Sequence, residues 1–325
     1  MKNSISVIIC THNPDRRRLA RVLDAIGCQR NAPFFDLVIV DNACELPIES
    51  EILDAAGSIE GRIVREPRPG LSFARACGIN NSCSDVLCFV DDDNILYPDY
   101  IYNAMAIYVA EPTLGAFAGR ARGVFERNPD WLLHHHLARY AIRDLGHFPI
   151  HGSGAEWGPW EPFGAGLVVR RDVANAFSRI ISLTEDGGPL GRNRKKLASG
   201  EDTLISRISH RMGYFVGYRP ELTIDHIIPA DRMNWMYLFR LVAGQARAQV
   251  ILNRITGVLE PAPPPRWRDP EILMRRFFAR IRNPGLHEAL THLVWDAAYW
   301  DQQRQSSDES EDIIREGLSA LSMRQ

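Results

Sequence analysis

Three consecutive aspartates, Asp91–Asp93, close the apolar run Val86–Val90. Like charges this close repel one another unless water or a cation meets them. A D-x-D pair at a strand end, here Asp91 and Asp93, suits Mg²⁺ or Mn²⁺ through oxygen ligands. The competing reading is a solvated turn, because Asp and Asn favour turns. Two other features invite chemistry. His134-His135-His136 suggests a metal, but consecutive helical positions point in different directions and make a poor single site, so they read as surface or acceptor-channel residues. The basic run "GRNRKKLASG" lies just before Glu201-Asp202 and is either a lid over phosphates or a solvated loop.

These residues need elements to hold them. Ile5–Cys10, "FDLVIVDN", "GRIVREP" and "SDVLCFVDDD" are apolar runs of strand length. Between them lie helical patterns: "PDRRRLARVLDAIGCQ", with Leu19, Val22, Leu23 and Ile26 at helical spacing, "IESEILDAAGS", and "LSFARACGINNS" opened by Gly70. Strand–helix alternation implies right-handed crossovers and a parallel, doubly wound sheet. Ligands of such sheets bind beyond the carboxyl ends of the strands, where Thr11, Asp41 and Asp91–Asp93 stand. The tri-aspartate is thereby expected at the edge of a cleft.

Further on, "GAFAGRARGVFE" reads as two strands bent at Gly119 or Gly123, residues 130–145 as a helix, and "FGAGLVVRRDVANAF" as a strand entering a helix. "EDTLISRISHRMG" is a helix with acids in its first turn, where the dipole favours them, and "FVGYRPELTIDHIIP" is a strand pair. From about 231 the pattern turns helical: one long amphipathic helix, a break at "EPAPPPRW", then helices near 270–282, 285–305 and 310–322.

The chain has 325 residues, 45% hydrophobic and 24% charged, which suffices for a large α/β domain with an appendage. A formal net charge of −2 gives no reason to expect a nucleic-acid partner. Val7–Cys10 is too short for a signal-peptide core, and no stretch reaches the ~18 apolar residues of a membrane span, so a cytoplasmic protein is expected. The six cysteines form no C-x-x-C pair and read as reduced thiols.

The ordered series "SVIICTHN", "VIVDN", "PGLSFARACGIN", "VDDDN", "PFGAGLVVRRDV" and "GEDTLISRISHRMGY" resembles family 2 nucleotide-sugar glycosyltransferases of the bacterial polysaccharide type, over most of residues 4–230. The resemblance implies the GT-A fold: an α/β, Rossmann-like, mostly parallel doubly wound sheet, here with a C-terminal helical extension. It implies nucleoside contacts by Thr11, His12, Asn13 and Asp41, and a donor-site helix with Gly70 and Arg75. Asp41 as a cap and Arg75 as a surface ion-pair partner are the alternatives. Asp91 and Asp93 match metal-binding carboxylates with Asp92 between them on the donor side, and His226 matches a further ligand, against a partly buried core histidine. Glu201-Asp202 matches the acidic pair, with Asp202 as general base; ordinary helix-start charge is the alternative. Gly164 and Gly166 match an acceptor-side strand, preceded by Trp157 and Trp160, which either stack on sugar or pack internally. Asn94 departs from the Asp of many relatives, which weakens the case for metal binding at that position.

The expectation is an inverting, Mn²⁺- or Mg²⁺-dependent transfer of a sugar from a nucleotide-diphosphate donor, UDP favoured, to a hydroxyl of a glycan or lipid-linked saccharide. The division expected is a catalytic domain over 1–230 and a helical region over 231–325. "RWRDPEILMRRFFARIRN" in that region fits peripheral contact with the inner face of a membrane, packing on its own domain, or a homodimer. Two alternatives stand: a nucleotidyltransferase, which lacks a Gly-rich, Lys-containing triphosphate loop here, and an inactive nucleotide-sugar-binding module. A dinucleotide oxidoreductase is set aside, because "CTHNPD" stands where G-x-G-x-x-G is needed.

Overall fold

The computed structural model describes residues 4–129, 133–154, 157–185, 190, 200–281 and 285–322. Its first half alternates β1 (Ile5–Thr11), α1 (Arg16–Gly27), β2 (Phe35–Asn42), β3 (Gly61–Glu66), α2 (Leu71–Asn80) and β4 (Val86–Asp91). Asp15 starts α1 by accepting from the Arg17 and Arg18 N–H groups at 2.9 and 3.0 Å. Between β2 and β3 the expected helix is only a 3-10 turn, Ser50–Ala56: Glu49 supplies no side-chain cap, and Gly57 ends it at φ 64°.

Parallel pairing sets β1 between β2 and β4, with Thr11 level with Asp41 and Cys10 level with Asp91. β3 extends the sheet beyond β2. The order of strand addition therefore reverses between β1 and β4, and their carboxyl ends stand side by side.

The second half adds β5 (Asn94–Leu96), α3 (Tyr100–Ala110), β6 (Leu114–Phe125), β7 (Ile150–Gly152), β8 (Leu167–Arg170), α4 (Arg171–Ser182), α5 (Glu201–Arg211) and β9 (Phe215–Ile228). Strand order is β3-β2-β1-β4-β8-β6-β9-β5, with β7 also on β9. β8 runs antiparallel to β4 and β6, β9 runs parallel to β6, and β5 and β7 run antiparallel to β9. This half is mixed, whereas the first is parallel. The two long strands are continuous where two strands each were expected. Their register shifts between Ala118 and Arg120 instead of breaking, and Gly119 permits it: a Cβ there would lie 1.8 Å from the Leu222 carbonyl oxygen. The expected helix over 130–145 is a 3-10 segment, Leu133–Tyr140, broken at His136 (φ −117°, ψ 16°).

Alternation along the strands builds a core on each face of the sheet. Ile8, Val38 and Val40 point to α2, α4 and α5, while Val7, Ile9 and Leu37 point to α1 and α3. The C-terminal elements are α6 (Trp235–Thr256), α7 (Asp269–Ile281), α8 (Leu286–Gln303) and α9 (Glu309–Ser322). Ile251 and Ile255 of α6 and the fully buried Ile314 and Leu318 of α9 join the core that holds Phe177 and Leu204. On α7, Arg276 and Arg280 turn to Asp296 at 3.1 Å, while Met274 and Phe278 are exposed. Among the described residues no helix is long and apolar enough to cross a membrane.

Candidate active site

A cleft of about 450 Å³ opens beyond the carboxyl ends of β1 and β4. Its lining includes the turn after β1, the start of α2, the tri-aspartate, the first turn of α5 and the residues following β9.

The tri-aspartate is held in a set geometry. Asn94 is fully buried; its Oδ1 accepts from the Asp91 N–H at 3.3 Å and its Nδ2 donates to Asp93 Oδ1 at 3.0 Å. Pairing of β5 with β9 places His226 opposite Asn94, and the Ile227 N–H donates to the Asp93 carbonyl at 2.8 Å. That register brings His226 Nε2 to 3.5 Å from Asp93 Oδ1. Arg232 donates to Asp93 Oδ2 at 3.0 Å. Asp92 accepts from the Thr11 hydroxyl. A pair of carboxylates with an adjacent imidazole is a donor set that suits Mn²⁺ or Mg²⁺. The buried His226 Nδ1 has no hydrogen-bond partner among the described residues. Asp91, Asp93 and His226 thus fit the ion expected from the sequence.

Burial, and then the charge of Asp93, push the Asp92 carboxyl up to about 6, with the Thr11 hydroxyl working the other way. Its ionised form is therefore a cost to folding. That cost is present in full above pH 6 and is relieved as pH falls towards the ordinary value of 3.8. Asp92→Asn is expected to stabilise the chelator-treated protein by about 1–2 kcal/mol near pH ~7.5. Denaturant unfolding should show that gain shrinking as the pH is lowered through 6; a gain independent of pH would contradict it.

Opposite the aspartates, α5 presents Glu201 and Asp202. Asp202 Oδ2 accepts from the Gly164 N–H at 3.0 Å and Oδ1 from the Thr203 N–H at 2.8 Å. Glu201 is 2% exposed and accepts from the Gly200 N–H at 3.2 Å. Arg75, 3% exposed, lies between the two acidic groups. Burial opposes its charge, but Glu201, Asp91 and Asp202 outweigh burial and raise its pKa. Its Nη1 has no hydrogen-bond partner among the described residues, so a charged donor remains for an anion. Gly164 is the residue that lets these groups meet. A Cβ there would sit 2.7 Å from Arg75 Nη2 and 3.6 Å from Asp202 Oδ2.

On the β1 side, His12 Nδ1 lies 2.7 Å from the Asn42 carbonyl. Asn13, at φ 51°, receives the Glu45 N–H on Oδ1 at 2.8 Å. Asn42 Oδ1 accepts from the Gly70 N–H at 2.9 Å, and Gly70 needs its freedom at φ 142°. Thr11, His12, Asn13, Gly70, Arg75, Asp91–Asp93, Gly164, Glu201, Asp202 and His226 all line this one cleft.

Asp41, Trp157, Trp160 and Gly166 are not among its lining residues. Asp41 is 2% exposed and receives the N–H groups of Cys44 and Ile48 and the guanidinium of Arg65, at 3.0, 3.3 and 2.8 Å. It shapes the loop after β2. Trp160 has its ring against Gly152 and Gly158, where any Cβ would come within 2.4 Å of it. Trp157 is 53% exposed. Gly166, at φ 70°, lets its carbonyl accept from the buried Tyr100 hydroxyl. The basic run 191–199 lies outside the described residues.

Sequence patterns missed several cleft residues. Arg232 follows β9 without any motif, and Arg139 and Tyr140 arrive on the broken 3-10 segment. Tyr140 stacks on Tyr237 of α6 with ring centroids 5.9 Å apart, which ties the cleft wall to the C-terminal helices.

Known proteins share sequence and fold with this chain. The profile of the family described as "Glycosyl transferase family 2" matches residues 6–175. Succinoglycan biosynthesis protein ExoM of Rhizobium meliloti (strain 1021) is 24% identical over 264 residues, which is 78% of this chain and 77% of that protein. An N-acetylglucosaminyltransferase of Mesorhizobium japonicum is 24% identical over 236 residues, 70% of this chain and 52% of its own. Among solved structures, S. aureus TarS 1-349 in complex with UDP superposes with a TM-score of 0.52 at 12% identity, over 99% of this chain and 92% of that one. The chain spans 54% of the longer TarS structure. At such identity the likeness shows the fold alone, and that fold is GT-A.

Proposed function

Because the chain belongs to glycosyl transferase family 2 and is a glycosyltransferase of the bacterial polysaccharide type, we propose that its cleft moves a sugar from a nucleotide-diphosphate donor to a glycan hydroxyl with inversion. The observation that carries this reading is the meeting, in one cleft, of the β4 carboxylates with the first turn of α5 across Arg75.

In this reading Asp202 takes the proton from the acceptor hydroxyl as that oxygen forms its bond to the anomeric carbon. The bond from that carbon to the diphosphate oxygen breaks, and its electron pair leaves with the nucleoside diphosphate. Attack comes from the face opposite the leaving group, so the anomeric configuration inverts and no covalent enzyme intermediate forms. Gly164 holds Asp202 by its N–H and keeps the carboxylate oriented. Glu201 supports Arg75 from the same turn. Arg75 and Arg232 supply fixed positive charge to the donor phosphates. Asp91, Asp93 and His226 would hold a divalent ion, which would supply positive charge at the leaving diphosphate. Asp92 fixes the turn after β1 through Thr11. His12 and Asn13 border the nucleoside, with Asp41 one layer behind, organising the loop they touch. Gly164 opens the acceptor side; Trp157 and Trp160 precede it, and Gly166 fixes the strand that follows.

UDP is the favoured donor nucleotide, since the TarS relative binds it within the same fold. A saccharide, free or lipid-linked, is the favoured acceptor, in keeping with the relative named for succinoglycan biosynthesis. Residues 1–230 form the catalytic domain and 231–325 a helical region seated on it.

The test is a thermal-shift panel of UDP-, GDP- and dTDP-sugars with and without Mn²⁺, followed by analysis of the released product. A native-state ligand raises the midpoint, and the UDP-sugar with Mn²⁺ is expected to raise it most. Release of nucleoside diphosphate supports the reading. Pyrophosphate released from a nucleoside triphosphate would turn it to nucleotidyl transfer, and binding without any product would turn it to an inactive module.

A further inference from the structure

Away from the cleft, the break in the 3-10 segment at His136 separates two neighbouring imidazoles. His135 stays exposed, while His136 turns inward and is 4% exposed. Its Nε2 is buried and has no hydrogen-bond partner among the described residues. What it meets is the first turn of α8. One ligand atom from each of His136, His287 and Glu288 lies within 4.8 Å of the other two. The His136 and His287 rings meet edge to face at 5.6 Å, and His135 stacks on His287 at 4.5 Å. Sequence spacing sets the three consecutive histidines aside as a metal site. The partners that change this come from a helix far down the chain.

We propose that His136, His287 and Glu288 form a second divalent-cation site, suited to Zn²⁺, that staples the wall of the catalytic cleft to α8. Two imidazoles and one carboxylate are a borderline-soft donor set that Zn²⁺ accepts, with water in the fourth position. A tetrahedral ion holds its ligands about 3.4 Å apart, so the three atoms close by about an ångström on binding. Glu288 has the freedom to do so, because its competing contact, His292 Nε2 at 3.8 Å, is long. Arg139 is the charge that opposes an ion here. Its guanidinium is engaged elsewhere, 2.9 Å from Gln245 Oε1 and 4.9 Å from the centre of the Trp295 ring. Burial keeps the His136 imidazole neutral, with its lone pair available. Arg139 and Tyr140 line the cleft within one turn of His136, so the staple immobilises that wall without touching the reacting groups.

The test uses the full-length protein, stripped with chelator and titrated with ZnCl₂ alone. In the Asp93→Asn background, which removes the cleft's ion site, one equivalent should bind with a Kd below about 10 μM, and about a hundredfold excess over Kd should raise Tm by about 5 °C. Co²⁺ should give the intense visible spectrum of a four-coordinate ion. His287 and Glu288 are only partly buried, so His287→Gln and Glu288→Gln are expected to fold and to lose both the stoichiometric zinc and the Tm rise. Asp93→Asn, in the cleft, should keep both, which separates this site from the one assigned to the donor. Zinc bound equally by wild type and Glu288→Gln, or bound only at millimolar concentration, overturns the proposal.

Discussion

Asp202→Asn is expected to lower kcat by about 10²–10⁴-fold, the usual contribution of a positioned base, while donor binding survives. The asparagine keeps the size of the side chain and one acceptor oxygen. It can still take the N–H of either Gly164 or Thr203, which bond the wild-type carboxylate at 3.0 and 2.8 Å. What is lost is a group able to accept the acceptor's proton. Single-turnover rates report the loss, and titration with the UDP-sugar reports the intact donor site. A variant that transfers at the wild-type rate would remove Asp202 from the chemistry. One that loses donor affinity and turnover together would make it a positioning residue for Arg75. Glu201 lines the same cleft and is 2% exposed, and Glu201→Gln, which should leave the base in place, is the control for it.

Asp93→Asn should cost about 10²–10³-fold in turnover and abolish the thermal shift produced by Mn²⁺. Asp93 is the hub of its corner: Asn94 at 3.0 Å, Arg232 at 3.0 Å and His226 at 3.5 Å all converge on one carboxylate that is 5% exposed. The amide oxygen can still accept from Arg232, so the variant should fold, whereas alanine leaves that arginine facing a buried gap. Wild-type protein freed of metal by a chelator provides the reference. If Asp93→Asn matches that reference in rate, the carboxylate acts through the ion. Turnover unaffected both by the substitution and by the chelator would leave the clustered acids without the role assigned to them.

Much of this site is legible in the chain because strand ends carry it. Thr11, Asp41 and Asp91 stand at the carboxyl ends of three parallel strands, and an apolar run stopping at an acid marks each end. The start of α5 is legible as a helix opening on two acids, and it is the family resemblance that singles out Asp202 there. The rest depends on pairing that leaves no local trace. His226 is named through the family resemblance alone, because it reaches Asp93 through the three-residue strand Asn94–Leu96, too short for any periodicity to reveal. Arg232 depends on how the chain leaves β9, and the "IIPADR" segment has no pattern that points inward. Trp160 is placed by two glycines that only the fold brings against its ring, so its type suggested a sugar platform and its surroundings give it an internal position. The long strands β6 and β9 read as broken because glycine and proline usually punctuate. Here Gly119 and Pro220 fall within one shift of register that the sheet absorbs.

A polypeptide is made from one end to the other, and the seating of α9 sets a timetable for this enzyme. Ile314 and Leu318 complete the apolar packing behind α5, the helix whose first turn carries Asp202. A ribosome therefore delivers every acid of the cleft before it delivers the residues that pack behind α5. Until Ile314 and Leu318 emerge, the apolar side of α5 has no cover from α9.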